Sequence, residues 1–548
     1  MTRFILRIRQ RKAAHGRALP AFIGPLLAFF LALWTLPATA QATDAFSEAL
    51  GALPQASFSD KEQIVGDLLK AGHPQTRIVL AAFLEGNLYA DASGKVWILS
   101  AGAASDPLTG AAAPGVVEDD LSKIGTNNRL RKTLKGAIAQ FDLSSPDEKV
   151  RIAAIREMRR DVDESIVELM RARQAVETSD EVREEIAVVL ALADTASADA
   201  AVRLQAVQAL GGALDPEIHN RLTELMEAEA DPAVRAAAAV SIRQIERSRK
   251  FYEALETLFF GLSLGSVLVL AAIGLTITFG VMGVINMAHG ELIMIGAYTT
   301  YVIQLLIPEN VGLSILIAIP AAFLVSGLFG VAIERGIVRH LYGRPLETLL
   351  ATFGLSLILQ QLVRTVFSPL NRSVKTPEFM SGSLQINELF SLTYNRLYIV
   401  VFALIVFALL MLLLNRTSLG LKVRAVSQNR AMARAMGIRT ERIDALTFGL
   451  GSGIAGVAGV ALSQLTNVGP NLGQAYIIDS FMVVVFGGVG NLWGTLISGM
   501  SLGVINKLLE PWAGAVMAKI IVLIFLILFI QRKPRGLFPQ KGRSAEGH

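Results

Sequence analysis

Residues 283–298 read GVINMAHGELIMIGAY, and within six positions this apolar run carries an amide, an imidazole and a carboxylate: Asn286, His289 and Glu291. Ionisable groups inside a membrane cost about 2.5–3.5 kcal/mol on insertion scales, so such side chains face a cavity or a partner rather than lipid. Asn286 and His289 stand three apart, the spacing of neighbours on one helical face. Gly283 and Gly290, with Gly280, break the helix or let another backbone approach closely. The chemistry on offer is hydrogen bonding to a solute in passage, with Gly283, Asn286, His289, Gly290 and Glu291 as its lining. The competing reading is helix-packing glue, in which Asn286 and His289 bond to neighbouring backbone. FGVMG at 279–283 is echoed by FGGVG at 486–490. Paired interruptions in the two halves of a transporter point to a substrate site near the membrane midplane.

A second unusual stretch is LKVRAVSQNRAMARAMGIRTERIDALTF at 421–448. It is too polar to span a membrane and too rich in helix formers to be an idle loop. Alanines lead into Gly437, a natural helix stop. A short helix, a glycine turn and a second basic segment form a shape that docks into a groove on a soluble partner. The plainer alternative is a solvated basic loop.

Other chemistries are absent from the pattern. The chain has no cysteine, which excludes disulfides, thiolate metal sites and cysteine nucleophiles. Six histidines are scattered at 15, 73, 219, 289, 340 and 548, none in a metal-binding spacing. There is no phosphate-binding loop, no GxSxG elbow and no kinase motif set, so neither an enzyme nor a resident metal or cofactor is expected.

Composition indicates the framework that holds these residues. Of 548 residues, 52% are hydrophobic and 18% charged. Residues 41–250 hold 33 acidic and 24 basic side chains, and residues 251–548 hold 13 and 21. The first part reads as a soluble, mildly acidic domain and the second as a membrane protein with basic loops. The net charge of +5 therefore reflects the leader and the membrane-edge loops, not a nucleic-acid partner.

Residues 1–40 have a basic start, an apolar core at 21–36 and small residues Ala38 and Ala40, the pattern of a signal peptide cleaved before Gln41. An uncleaved anchor is the alternative, and either one exports the domain behind it. Residues 41–140 are mixed: a helix in SDKEQIVGDLLKAG capped by Ser59, a hairpin at 87–99 around Ser93-Gly94, and a loop at 100–115. In 141–250 a capping residue, Val-Arg and alanine-rich helix recur, with Val-Arg at 150–151, 182–183, 202–203 and 234–235. Spacings of 32, 20 and 32 suit stacked helix pairs of the HEAT type, with a plain helical bundle as the alternative.

From Leu258 onward apolar runs predict spans at 258–282, 287–307, 312–333, 346–368, 397–415, 444–466, 478–508 and 514–531. Basic loops at 334–344, 415–442 and 531–536 mark the cytoplasmic side. An exported N-terminus and an internal C-terminus require an odd number of crossings, so 478–508 must be broken, and FGGVGNLWG at 486–494 lies at the needed place. The fold class is thus an all-α polytopic membrane protein of 8–9 segments, residues 251–538, behind a helical exported domain and ahead of a tail at 539–548.

Together, residues 261–298 and RAVSQNRAMARAMGIRTERIDALTF at 424–448 resemble the permease subunits of branched-chain amino acid type ABC importers, over roughly 252–538. The family's N-x-A-H-G-E segment matches Asn286, Ala288, His289, Gly290 and Glu291. The resemblance implies that the 424–442 segment contacts an ATPase, through Arg424, Ala425, Gln428, Asn429, Ala435, Gly437, Ile438 and Arg442. The amino-acid branch commonly has an acidic pair where this chain has Gln428-Asn429. That departure and the exported extension are more similar to the urea branch. The implied partners are a second permease subunit, two cytoplasmic ATPase subunits, a periplasmic solute-binding protein and inner-membrane lipid. A passive solute channel and a membrane scaffold that senses a periplasmic ligand remain alternatives.

Overall fold

Short polar side chains start the helices of the N-terminal part. In this computed structural model, which describes residues 37–100, 103–113, 116, 121–387 and 389–539, the chain divides into two units at Gln244–Ile245. The predicted leader therefore lies almost wholly outside the described residues. The first unit begins with α1 (Pro37–Ala52), α2 (Phe58–Ala71) and α3 (Thr76–Glu85). The α2 cap is Ser57 rather than the expected Ser59. Ser57 Oγ accepts from Asp60 N–H and Asp60 accepts from Ser57 N–H, a reciprocal box that Ser59 is not placed to form.

Strands β1 (Leu88–Ala90), β2 (Val96–Ser100), β3 (Ala103–Ser105) and β4 (Ser122–Lys123) form an antiparallel sheet in the order β3-β2-β1-β4. The predicted hairpin is present, with Tyr89 opposite Trp97 and Gly94 at φ 86°. Asp91 organises its turn by accepting from Ser93 and Lys95 N–H and from Trp97 Nε1. The expected loop at 100–115 is corrected in part, because Ala103–Ser105 pairs with Ile98–Ser100. Phe46, Leu53, Leu68, Leu80, Phe83 and Leu130 fill the core beneath the sheet.

Next come α4 (Asn128–Asp142), α5 (Glu148–Met158), α6 (Glu164–Val176), α7 (Asp180–Asp194), α8 (Ala200–Ala209), α9 (Pro216–Ala228) and the start of α10 (Pro232–Met282). From α5 to α10 the capping side chains are Asp147, Asp163, Ser179, Asp199, Asp215 and Asp231. The second three follow the first three at a constant interval, so the irregular Val-Arg spacings belong to one longer period. The same period repeats a latch. Arg151 forks onto Glu177 at 3.0 Å and donates to the Ser145 and Pro146 carbonyls. Arg203 forks onto Glu229 at 2.8 Å and donates to the Ser197 and Ala198 carbonyls.

These latches make the unit acid-sensitive. Burial pushes the Glu177 carboxyl up, but Ser179 N–H, Arg173 and Arg151 outweigh it and hold it at about 2. Arg203 and Asp231 N–H hold Glu229 at about 2. Both lie below the unfolded glutamate value, so the stabilisation is present above about pH 4.3 and is lost as pH falls towards 2. Pepsin is expected to leave residues 145–231 of the full-length protein intact at the upper end of that window and to cut them at the lower end. Equal cutting across the window would remove the latches' role.

The second unit contains the rest of α10, then α11 (His289–Leu306), α12 (Val311–Gly336), α13 (Pro345–Phe367), β5 (Ser383–Gln385), β6 (Ser391–Thr393), α14 (Tyr394–Arg416), α15 (Ser418–Gln428), α16 (Arg430–Ala435), α17 (Thr440–Ser463), α18 (Leu472–Gly487) and α19 (Leu492–Arg532). Among the described residues six helices, α10, α12, α13, α14, α17 and α19, are long and apolar enough to cross a membrane. The 478–508 run is broken between α18 and α19, where Gly488 and Gly490 take φ 100° and 79°.

Helix α19 is not straight: it turns at Gly514 (φ 77°, ψ 159°), three residues after Pro511. Ser498 Oγ donates to Val483 O at 2.7 Å, and Phe529 packs on Phe486 with ring centres 4.9 Å apart. In a straight helix, at about 1.5 Å per residue, Ser498 and Phe529 stand roughly 45 Å apart. Both touch the same end of α18, so α19 doubles back as two arms.

At the centre lies α17, nearly all of it buried. Its glycines explain the position. A Cβ at Gly451 would lie 2.6 Å from Gly274 O on α10, and one at Gly456 2.5 Å from Ala322 O on α12. One at Gly459 would meet Ile293 O and Ala297 N on α11. Three helix backbones reach α17 only because these side chains are missing.

Candidate functional site

Gly283, at φ 66°, turns the chain out of α10 and opens the break that precedes α11. Asn286 is fully buried and its Oδ1 accepts from Ala288 N–H at 3.0 Å, shaping its own turn. His289 is also fully buried, with Nε2 2.8 Å from Ala271 O on α10. A carbonyl only accepts, so Nε2 carries the proton. Each of these two side chains thus makes one bond to backbone, while Asn286 Nδ2 and His289 Nδ1 are buried without a hydrogen-bond partner among the described residues.

Glu291, 1% exposed, turns instead towards α13. Its Oε1 accepts from Gln360 Nε2 at 2.7 Å and from Ser356 Oγ at 3.0 Å, while Oε2 is buried without a hydrogen-bond partner among the described residues. Ser356 and Gln360 belong to a buried polar stripe on α13, with Thr348 and Thr352, one residue per helical turn. Thr352 Oγ1 accepts from Met287 N–H at 3.1 Å, so the stripe runs beside the α10–α11 break. One turn further, Arg364 donates to Asn471 Oδ1 at 2.7 Å. Gly290 supplies the close approach: a Cβ there would lie 2.5 Å from Gly473 O at the start of α18.

Sequence reasoning missed this stripe. Its signal was available in TLLATFGLSLILQ, residues 348–360, where hydroxyl or amide side chains recur every fourth position of an apolar run and share one helix face.

The two echoed glycine stretches do meet, Gly280 against the backbone of Gly490. Both stretches stand at helix ends, α10 ending at Met282 and α18 at Gly487, where the sequence places the breaks. A cavity of about 340 Å³ lies beside them, walled by Gly280, Asn491 and Trp493 and by Arg424, Ser427 and Gln428 of α15.

The basic loop folds as a hook of α15, α16 and a turn. Asn429 caps α16, its Oδ1 accepting from Met432 N–H at 2.9 Å. Gly437, at φ 83°, reverses the chain, and Ile438 N–H reaches back to Ala433 O at 3.0 Å. Arg424 donates to Leu414 O at the end of α14 and to Asn415 Oδ1. Ala425 and Ile438 pack beneath the hook against Val423, Val426, Ala433 and Ile443. Gln428, Asn429, Ala435, Gly437 and Arg442 lie on the outside of the hook. The sequence reading overlooked Met432 and Met436, 60% and 77% exposed one turn apart at the tip. Unbranched methionines on an exposed surface adapt to a partner's groove.

Residues 257–530 match the family described as branched-chain amino acid transport system / permease component. The chain is similar to the high-affinity branched-chain amino acid transport system permease protein BraD of Pseudomonas aeruginosa, 32% identical over 53% of this chain and 96% of the relative. It is 31% identical to the Escherichia coli permease protein LivH of the same kind of system, over 53% of this chain and 97% of the relative. A more distant likeness, 26% identical over 46% of this chain and 77% of the relative, is the Escherichia coli ribose import permease protein RbsC. No solved structure matches. Relatives of this kind are transport components, not enzymes, and this chain belongs to the family of branched-chain amino acid transport system permease components.

Proposed function

We propose that this protein is the permease subunit of an ATP-driven importer for a small polar solute, with urea favoured over branched-chain amino acids and short amides. The observation that carries the reading is the hook. A membrane unit that builds two capped helices and a glycine reversal, and exposes two methionines and the polar tip around Gly437, presents a docking surface for a soluble subunit. Two ATPase subunits, a second permease subunit and a periplasmic binding protein complete the machine. The first unit is periplasmic, a HEAT-like array that meets one of these partners.

Counting α10, α11, α12, α13, α14, α17, α18 and the two arms of α19, nine passes carry the chain from an external first unit to a cytoplasmic end. Solute moves along the α13 stripe and Glu291, where hydroxyl, amide and carboxylate groups serve a neutral solute that needs donors and acceptors. Gln428-Asn429 and the exported extension favour urea.

The test is uptake into vesicles holding this chain with its companion subunits and binding protein, using labelled urea and labelled leucine. Accumulation of urea that stops without ATP is expected. Equal entry without nucleotide would favour a passive channel. ATP-dependent leucine entry with no urea entry would overturn the substrate assignment alone.

A further inference from the structure

We propose that Arg430 is a positioning residue that pins the hook to α17, so that motion delivered to the hook becomes displacement of the central helix. The proposal rests on the ATP-driven reading above. Arg430 opens α16, and its guanidinium forks onto Asp444 of α17, with Nη1 3.2 Å from Oδ1 and Nη2 paired with Oδ2. The same Nη1 donates to Tyr342 OH at 2.6 Å, and the guanidinium carbon lies 3.9 Å from the centre of the Tyr342 ring. Tyr342 belongs to the α12–α13 connection. One side chain therefore ties the hook to the base of α17 and to the neighbouring loop. Only arginine offers a planar fork that pairs in two places and also lies against a ring; lysine does not.

Burial makes the pin costly to pull. Asp444 is 3% exposed, and Glu334 at the end of α12, 2% exposed, has a carboxylate oxygen with no hydrogen-bond partner among the described residues. Withdrawal of Arg430 would strand Asp444 as a buried carboxylate with a second acid close by, a strongly unfavourable state. Hook and helix then move together more readily than apart. The apolar contacts of Val423, Val426 and Ile443 alone give no comparable direction, because hydrophobic packing is non-directional. The Arg339–Glu441 pair nearby is exposed at both partners and adds little. Beyond the pin, α17 has no slack. Its glycines rest on the backbones of α10, α11 and α12, and α11 carries Glu291. A displacement of α17 thus reaches the solute stripe through backbone contacts.

The chain's lack of cysteine gives a clean test. In vesicles with the complete importer, Arg430→Gln is expected to keep its ATPase on co-purification and to keep hydrolysing ATP. Solute moved per ATP should fall by about tenfold, within the usual span of coupling effects. Arg430→Lys should fall between the two. The Arg430→Cys, Asp444→Cys pair should be uncoupled when free and return to within about twofold of the starting ratio when bridged by a short thiol cross-linker, since a covalent tie replaces the ionic one. Three results would overturn the proposal: an unchanged transport ratio in Arg430→Gln, loss of the ATPase from that variant, or a bridged pair that stays uncoupled. If Arg430→Gln fails to insert, the bridged pair decides. Wild-type uptake that ignores ATP would instead sink the importer reading, before any variant is compared.

Discussion

Glu291→Gln is expected to lower solute uptake by about tenfold or more while leaving the amount of inserted protein unchanged. Glutamine has nearly the same shape, and its carbonyl oxygen accepts from Gln360 and Ser356 as Glu291 Oε1 does. Any role in holding α11 against α13 therefore survives the change. What disappears is the ionisable group and its oxygen Oε2, which no described protein group satisfies. Had Glu291 been placed there for packing, a buried carboxylate would be an expensive choice over an amide. Uptake in the vesicle assay, normalised to inserted protein, checks this. A rate within about twofold of wild type would return Glu291 to a packing role and leave the stripe without its charged member. The comparison variant Glu291→Ala is less informative, because it also strands Gln360 and Ser356 as buried donors.

The second large effect concerns folding. Gly456→Val is expected to leave little correctly assembled protein, read as the monodisperse fraction in detergent after expression. At Gly456 even a Cβ would lie 2.5 Å from both Ala322 O and Ser326 Oγ on α12, and the backbone of Gly456 is itself the surface on which Gly296 of α11 rests. Neither α11 nor α12 backs away without disturbing the α17 crossings at Gly451 and Gly459. Overpacking of this kind costs about 1–3 kcal/mol where neighbours give way, and more where they are backbone. Against total stabilities of roughly 5–15 kcal/mol that is a large fraction. Gly354→Ala in α13 is the matched control. Nothing lies within 4 Å of its added Cβ, and alanine is the better helix former, so assembly should equal or exceed wild type. Equal yields from both variants would mean that the α17 crossings tolerate bulk and do not set the fold.

Much of this architecture was legible locally. The hairpin at Ser93-Gly94 was legible because a tight reversal depends on residues a few positions apart. So were the stop at Gly437 and the break inside 478–508, where glycines take φ values that other residues avoid. Local reading failed where two nearby residues competed for one role. Ser57 outcompetes Ser59 through the partner three residues on, Asp60. The repeat in the first unit was visible as Val-Arg spacings, but its period emerged only when the Arg151–Glu177 and Arg203–Glu229 latches were seen to match.

The candidate path divides the same way. Sequence alone determined that Asn286, His289 and Glu291 cannot all face lipid, because that is a matter of solvation and needs no partner to be named. It also determined that a polar hook comes after α14. Tertiary structure decided which groups these residues meet. Glu291 finds Ser356 and Gln360 65 and 69 positions away, and Arg430 finds Tyr342 88 positions away. Folding α19 back at Gly514 brings Phe529 to Phe486. Such pairings depend on how helices distant in the chain pack face to face, and the bare α17 glycines set that packing while leaving no polar signature in the sequence.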